Sequence, residues 1–72
     1  MTGNDYNNKK LVDLREDKNL TQQNVADSLR VSRFTVLRAE KGESASWKLL
    51  QSFAVFYKVP ISDLLAQEKV SA

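Results

Sequence analysis

Residues 20–42 read LTQQNVADSLRVSRFTVLRAEKG, and this stretch decides the fold. Thr21 is a helix-capping residue, and the segment after it carries apolar positions Val25, Ala26 and Leu29 at helical spacing. A second capping residue, Ser32, precedes another helical pattern that runs from Arg33 to Lys41 and stops at Gly42. Leu29 and Ser32 are so close that one helix ends and the next begins within about three residues. A turn that short forces the two helices to cross steeply, as in a helix-turn-helix.

The flanks continue the same pattern. A first helix is expected from about Tyr6 to Lys18, with Leu11, Leu14 and Lys18 on one face and Asn19 ending it, since asparagine tolerates left-handed backbone. Ser46 caps a fourth helix, Trp47 to about Lys58, whose inward positions are Trp47, Leu50, Phe53, Ala54 and Tyr57. Pro60 opens a fifth, Ile61 to about Gln67, because proline suits the first turn of a helix. No stretch alternates at period two, so the fold class is all-α. Five short helices must share one compact core. The chain is read as a single domain over 1–72, with its core at about 9–66 and loose polar ends.

Composition excludes much. With no histidine and no cysteine among 72 residues, disulfides are impossible and zinc loses its preferred ligands. The commonest general base and the thiolate nucleophile are missing too, and there is no glycine-rich phosphate loop, so an enzyme is not expected. Neither a metal nor any other cofactor is expected, and no small-molecule site is evident. Apolar runs are too short to span a membrane, and Met1–Asp5 is too polar for a signal peptide, which implies a cytoplasmic protein.

The formal net charge is only +2, but its distribution is uneven. The stretch from Arg30 to Lys48 carries +3, and the remainder −1. Such a patch fits a phosphate-facing surface, and equally a solvated mixed-charge one. The third helix sorts these charges. Val36, Ala39 and Glu40 face inward by the i, i+3, i+4 rule, and Arg33, Phe34, Leu37, Arg38 and Lys41 form the opposite face. Water does not reward exposing Phe34, whereas a thymine methyl does, and arginine suits the guanine edge. The competing reading turns Phe34 inward and leaves the cations solvated.

The ordered set Leu14-Arg15, Leu20-Thr21-Gln22-Gln23, Val25-Ala26, Val31-Ser32-Arg33, Thr35-Val36, Arg38-Ala39-Glu40-Lys41-Gly42 and Val59-Pro60-Ile61-Ser62-Asp63-Leu64-Leu65 resembles the Cro/CI-type (XRE-like) helix-turn-helix family of phage repressors and bacterial regulators. The resemblance covers about Lys9 to Ala66. It implies a five-helix, lambda-repressor-like domain and a sequence-specific regulator of transcription, a repressor, whose third helix lies in the major groove. Arg33, Phe34 and Arg38 match the family's base-reading positions. Gln22, Ser32, Thr35 and Lys41, with the loop after Gly42, match positions that touch the DNA backbone or the base edges. Arg15 and Glu40 match an ion pair between the first and third helices; the alternative is that each is separately solvated. Where the family has a turn glycine, this chain has Arg30. Either it keeps the left-handed conformation, at a cost of about 1 kcal/mol, or the turn differs slightly.

The expected partner is double-stranded DNA with a palindromic operator, bound by a homodimer. Leu49, Val55 and Phe56 are apolar at fourth-helix positions that the family often leaves polar, which makes them candidates for the dimer interface, together with helix five and the tail around Val70. The rival reading is a protein-interaction module on the same fold, an antitoxin or anti-repressor component.

Overall fold

The computed structural model describes residues 6–65, and the element order is α1 (Asn8–Asp17), α2 (Gln22–Leu29), α3 (Arg33–Glu40), α4 (Trp47–Tyr57) and α5 (Ser62–Leu65). Each of the first four starts on a side-chain cap. Asn7, Thr21, Ser32 and Ser46 accept hydrogen bonds from the backbone N–H groups of Lys10, Asn24, Thr35 and Leu49, at 3.0–3.2 Å. At α2 the Asn24 side chain returns the bond to the Thr21 N–H, closing a capping box.

The same four helices also end alike. Asn19, Arg30, Gly42 and Lys58 all have positive φ, between 57° and 81°. The residue after each donates its N–H to the carbonyl five positions back: Leu20 to Arg15, Val31 to Ala26, Glu43 to Arg38 and Val59 to Ala54. This six-to-one bond is the Schellman closure, and it satisfies carbonyls that would otherwise be orphaned. Arg30 therefore keeps the left-handed turn conformation, with φ 60° and ψ 44°.

Leu11, Val25, Val36, Phe53 and Leu64 are the largest fully buried side chains, and each of α1 to α5 contributes one of them to the centre. α1 starts two residues later than expected because Asn7 caps it and Tyr6 folds inward ahead of the cap. Tyr6 and Leu11 occupy the positions of a hydrophobic staple, and both belong to the core. The Tyr6 hydroxyl donates to the Ala39 carbonyl oxygen at 2.7 Å, and the Asn7 N–H donates to the Leu64 carbonyl at the same distance. The start of the described chain is thus tied to both α3 and α5.

Trp47 is a correction. Expected in the core, it is 56% exposed. Helical side chains lean toward the N-terminus, so one at the first position of α4 leans off the end of the helix, away from the core. Leu50, Phe53, Ala54 and Tyr57 alone form the buried stripe of α4. Lys18, placed on the inward face of α1, is exposed and lies past the end of that helix. Within the described residues α5 runs Ser62–Leu65, with Ile61 in the turn before it; Gln67 and Val70 lie outside them.

The four left-handed positions give a paired test. A Cβ on Gly42 would sit 3.1 Å from the Asn8 side chain, and that side chain already donates to the Glu40 carbonyl at 2.9 Å. Gly42→Ala should therefore cost about 1–2 kcal/mol, whereas Arg30→Gly should be neutral or stabilise by up to about 1 kcal/mol. Urea denaturation midpoints of the two variants should move in these unequal ways, and equal losses would refute the assignment.

Candidate nucleic-acid interface

α3 has two faces with different work. Its inner face, Val36, Ala39 and Glu40, is buried, and the carboxylate is the one charged group in the core among the described residues. A buried carboxylate needs partners. The Arg15 Nε donates to Glu40 Oε2 at 2.8 Å and its second terminal nitrogen to Oε1 at 3.1 Å, a two-pronged ion pair. Its remaining terminal nitrogen donates to the Leu20 carbonyl at 2.9 Å. One guanidinium thus joins α1, the α1–α2 connection and α3. Hydrogen bonding to Glu40 raises the Arg15 pKa above its ordinary value, outweighing the opposing effect of burial.

Sequence reasoning missed a third member. The Gln22 side-chain amide donates to Glu40 Oε1 at 3.1 Å, so α2 is tied to the same carboxylate. Gln22 was expected to face the DNA; its hydrogen bond here is to Glu40. Tyr57 adjoins the cluster. Its hydroxyl is buried with no hydrogen-bond partner among the described residues, and burial, reinforced by the charge of Glu40, pushes its pKa up to about 12.

The outer face is open. Arg33 and Arg38 are exposed, Phe34 is 59% exposed, and Leu37 is half-buried. The Arg33 guanidinium carbon lies 5.5 Å from the centroid of the Phe34 ring, within cation–π range. Ser32 and Thr35, near the helix start, share a hydroxyl hydrogen bond at 3.1 Å. Lys41 is exposed beyond the helix end, 3.5 Å from the Glu43 carboxylate, a surface pair of small energetic value.

Two open depressions flank this ridge. One, about 440 Å³, is lined by Arg15, Leu20, Thr21, Gln22, Gln23 and Arg33 at the start of α2. The other, about 220 Å³, is lined by Thr35, Arg38, Ser44, Ala45, Ser46 and Leu49 at the start of α4. Each joins an arginine of α3 to a helix N-terminus, where backbone N–H groups and the helix dipole favour an anion.

The three dimer candidates do not form one patch. Leu49 borders the smaller depression and is half-buried. Phe56 is half-buried, packed edge-on against Tyr57 at 5.0 Å. Only Val55, 78% exposed, stands free; Trp47, also exposed, lies about 80° around α4 from it. Val55 and Phe56 instead share an open groove of about 560 Å³ with Leu29, Arg30 and Lys48.

Comparison with known proteins places this geometry in context. The profile of the Helix-turn-helix family matches residues 11–64. The chain is 38% identical over 64 residues to the HTH-type transcriptional activator BcrR of Enterococcus faecalis, covering 88% of this chain and 31% of BcrR. It is 35% identical over 63 residues to RstR, the cryptic phage CTXphi transcriptional repressor of Vibrio cholerae, covering 86% of this chain and 57% of RstR. An uncharacterised HTH-type transcriptional regulator of Methanocaldococcus jannaschii is 42% identical over 60 residues, covering 82% of this chain and 91% of that protein. The chain therefore spans under two thirds of the first two relatives.

The Arg15–Glu40 pair can be tested without DNA. Removing either partner strands a charge that is nearly buried, with side-chain exposures of 16% and 4%, and should cost roughly 3–5 kcal/mol. Arg15→Met combined with Glu40→Leu should be milder than the worse single change. A denaturation double-mutant cycle with additive, sub-kcal effects would refute the coupling.

Proposed function

The chain belongs to the helix-turn-helix family, and from that premise we propose that it is a cytoplasmic, sequence-specific double-stranded DNA-binding regulator of transcription, acting as a repressor. One observation carries the reading: α3 exposes Phe34 between two arginines while its opposite face is fixed to α1 and α2 through Glu40. A helix that met only water would gain nothing from that outward phenylalanine. In the major groove, Arg33 and Arg38 take guanine edges and Phe34 takes an apolar contact. Ser32, Thr35, Lys41 and the two flanking helix N-termini bind phosphates and so position α3 without reading sequence. Gln22 contributes at the edge of the same surface while its amide braces Glu40.

The protein binds a palindromic operator as a homodimer, because two half-sites one helical turn apart multiply an affinity that one small domain supplies poorly. The exposed apolar side chains of α4, Val55 and Trp47, support a contact on that helix, with Leu49 and Phe56 as flanking support. The groove of Leu29, Val55 and Phe56 rimmed by Arg30 and Lys48 favours a second reading, a protein-interaction module on the same fold. Retention on heparin as salt rises, followed by a mobility shift on the protein's own upstream region, separates the two.

Arg33→Ala and Arg38→Ala should each cost about 1–3 kcal/mol of operator affinity and relax preference at one position per half-site. Lys41→Ala should instead weaken specific and non-specific binding alike and flatten the salt dependence by about one unit. Binding titrations on operator and scrambled duplexes at several salt concentrations distinguish these behaviours, and unchanged operator binding would sink the assignment.

The dimer is tested at Val55, where a charge can be placed without opening the core. Val55→Lys should leave the helical circular dichroism intact, reduce self-association in sedimentation and lower cooperativity on a palindromic site. A wild type that stays monomeric at high concentration, with a variant that binds normally, would place the contact elsewhere.

A further inference from the structure

We propose that Arg33 and Phe34 act as one reader of a dinucleotide step, 5′-TpG, in each half-site. This rests on the reading of α3 as the base-reading helix. The two residues are the first and second of α3, so they stand at the leading end of its outer face. The guanidinium carbon of Arg33 lies 5.5 Å from the Phe34 ring centroid, within cation–π range, so the charged group and the ring stand together as one surface. That surface presents a two-pronged donor beside an apolar edge, and Phe34 remains 59% exposed despite the contact.

A matching DNA surface needs a guanine N7/O6 edge directly beside a methyl group. Among the four bases only thymine carries a methyl in the major groove, and only guanine offers two acceptors there. In a right-handed duplex the C5-methyl of a pyrimidine lies beside the guanine that follows it in the same strand. The step 5′-TpG therefore places both features together, and 5-methylcytosine followed by guanine does the same. Cytosine or uracil before the guanine leaves the ring facing a bare edge.

The experiment starts by selecting bound duplexes from a random pool, in which TpG (CpA on the other strand) should recur once per half-site. The thymine of that step is then replaced by deoxyuridine, which pairs identically and lacks only the methyl. The wild type should lose about three- to fivefold in affinity, the effect of one buried methyl. A cytosine duplex should bind more weakly, and 5-methylcytosine should recover most of that loss. Phe34→Ala should bind the uracil and thymine duplexes equally. Arg33→Lys, which keeps the charge but not the planar fork, should lose the guanine preference. Both positions are exposed, so circular dichroism should be unchanged. A wild type that selects a sequence yet ignores the methyl would overturn the paired reader and leave base reading by α3 standing. No sequence selected above non-specific binding would overturn both.

Discussion

The placement of α3 against α1 and α2 depends on one buried negative charge. The Glu40 carboxylate sits on the inner face of the helix that carries the exposed arginines, and it is reached from α1 by Arg15 and from α2 by Gln22. In a core this thin, apolar contact alone specifies the rotation of a helix less sharply, since dispersion has little directional preference. Charged hydrogen bonds do have direction. Three of them converge on two oxygens and set the rotation and height of α3 against its neighbours. The same guanidinium holds the Leu20 carbonyl, so the entry to α2 is fixed by the group that fixes α3.

The helix ends apply a second constraint. Four helices of eight to eleven residues each close with a left-handed residue and a six-to-one hydrogen bond, yet Gly42 is the sole glycine among the four closing residues. Short connections leave no room for a gradual end, so the backbone turns at Arg30 and Lys58 despite the steric cost of a Cβ there. At Gly42 the requirement is stricter. Asn8 packs against the place a Cβ would occupy, and it holds the carbonyl of the same Glu40 whose side chain Arg15 holds.

Much of this could be read in the sequence because it depends on local rules. Thr21, Ser32 and Ser46 announce three helix starts, Asn19 and Gly42 two of the ends, and the i, i+3, i+4 spacing puts Glu40 inside. The missed features depend on where helices end up in space. Trp47 fits the inward period of α4 but stands at its first turn, where the period no longer describes what covers a side chain. Leu49, Val55 and Phe56 look equivalent as surplus apolar residues, yet neighbouring elements cover two of them in part and leave Val55 out. The resemblance gives Gln22 a DNA-side role; its bond to Glu40 depends on how α2 and α3 pack, which spacing along one helix does not show. Tyr6 gave no periodic signal, because it precedes its helix.

The division of α3 into an anchored face and an open one has a consequence for inheritance. Glu40, Val36 and Ala39 share no hydrogen-bond partner with Arg33, Phe34 or Arg38 among the described residues, so substitutions on the open face do not propagate into the scaffold. Copies of such a gene can therefore differ at the exposed positions of α3 while the frame is kept. Variety on the open face is then expected to outrun variety in stability. A chimaera that takes the outer residues of a relative onto this inner face should keep this chain's thermal behaviour.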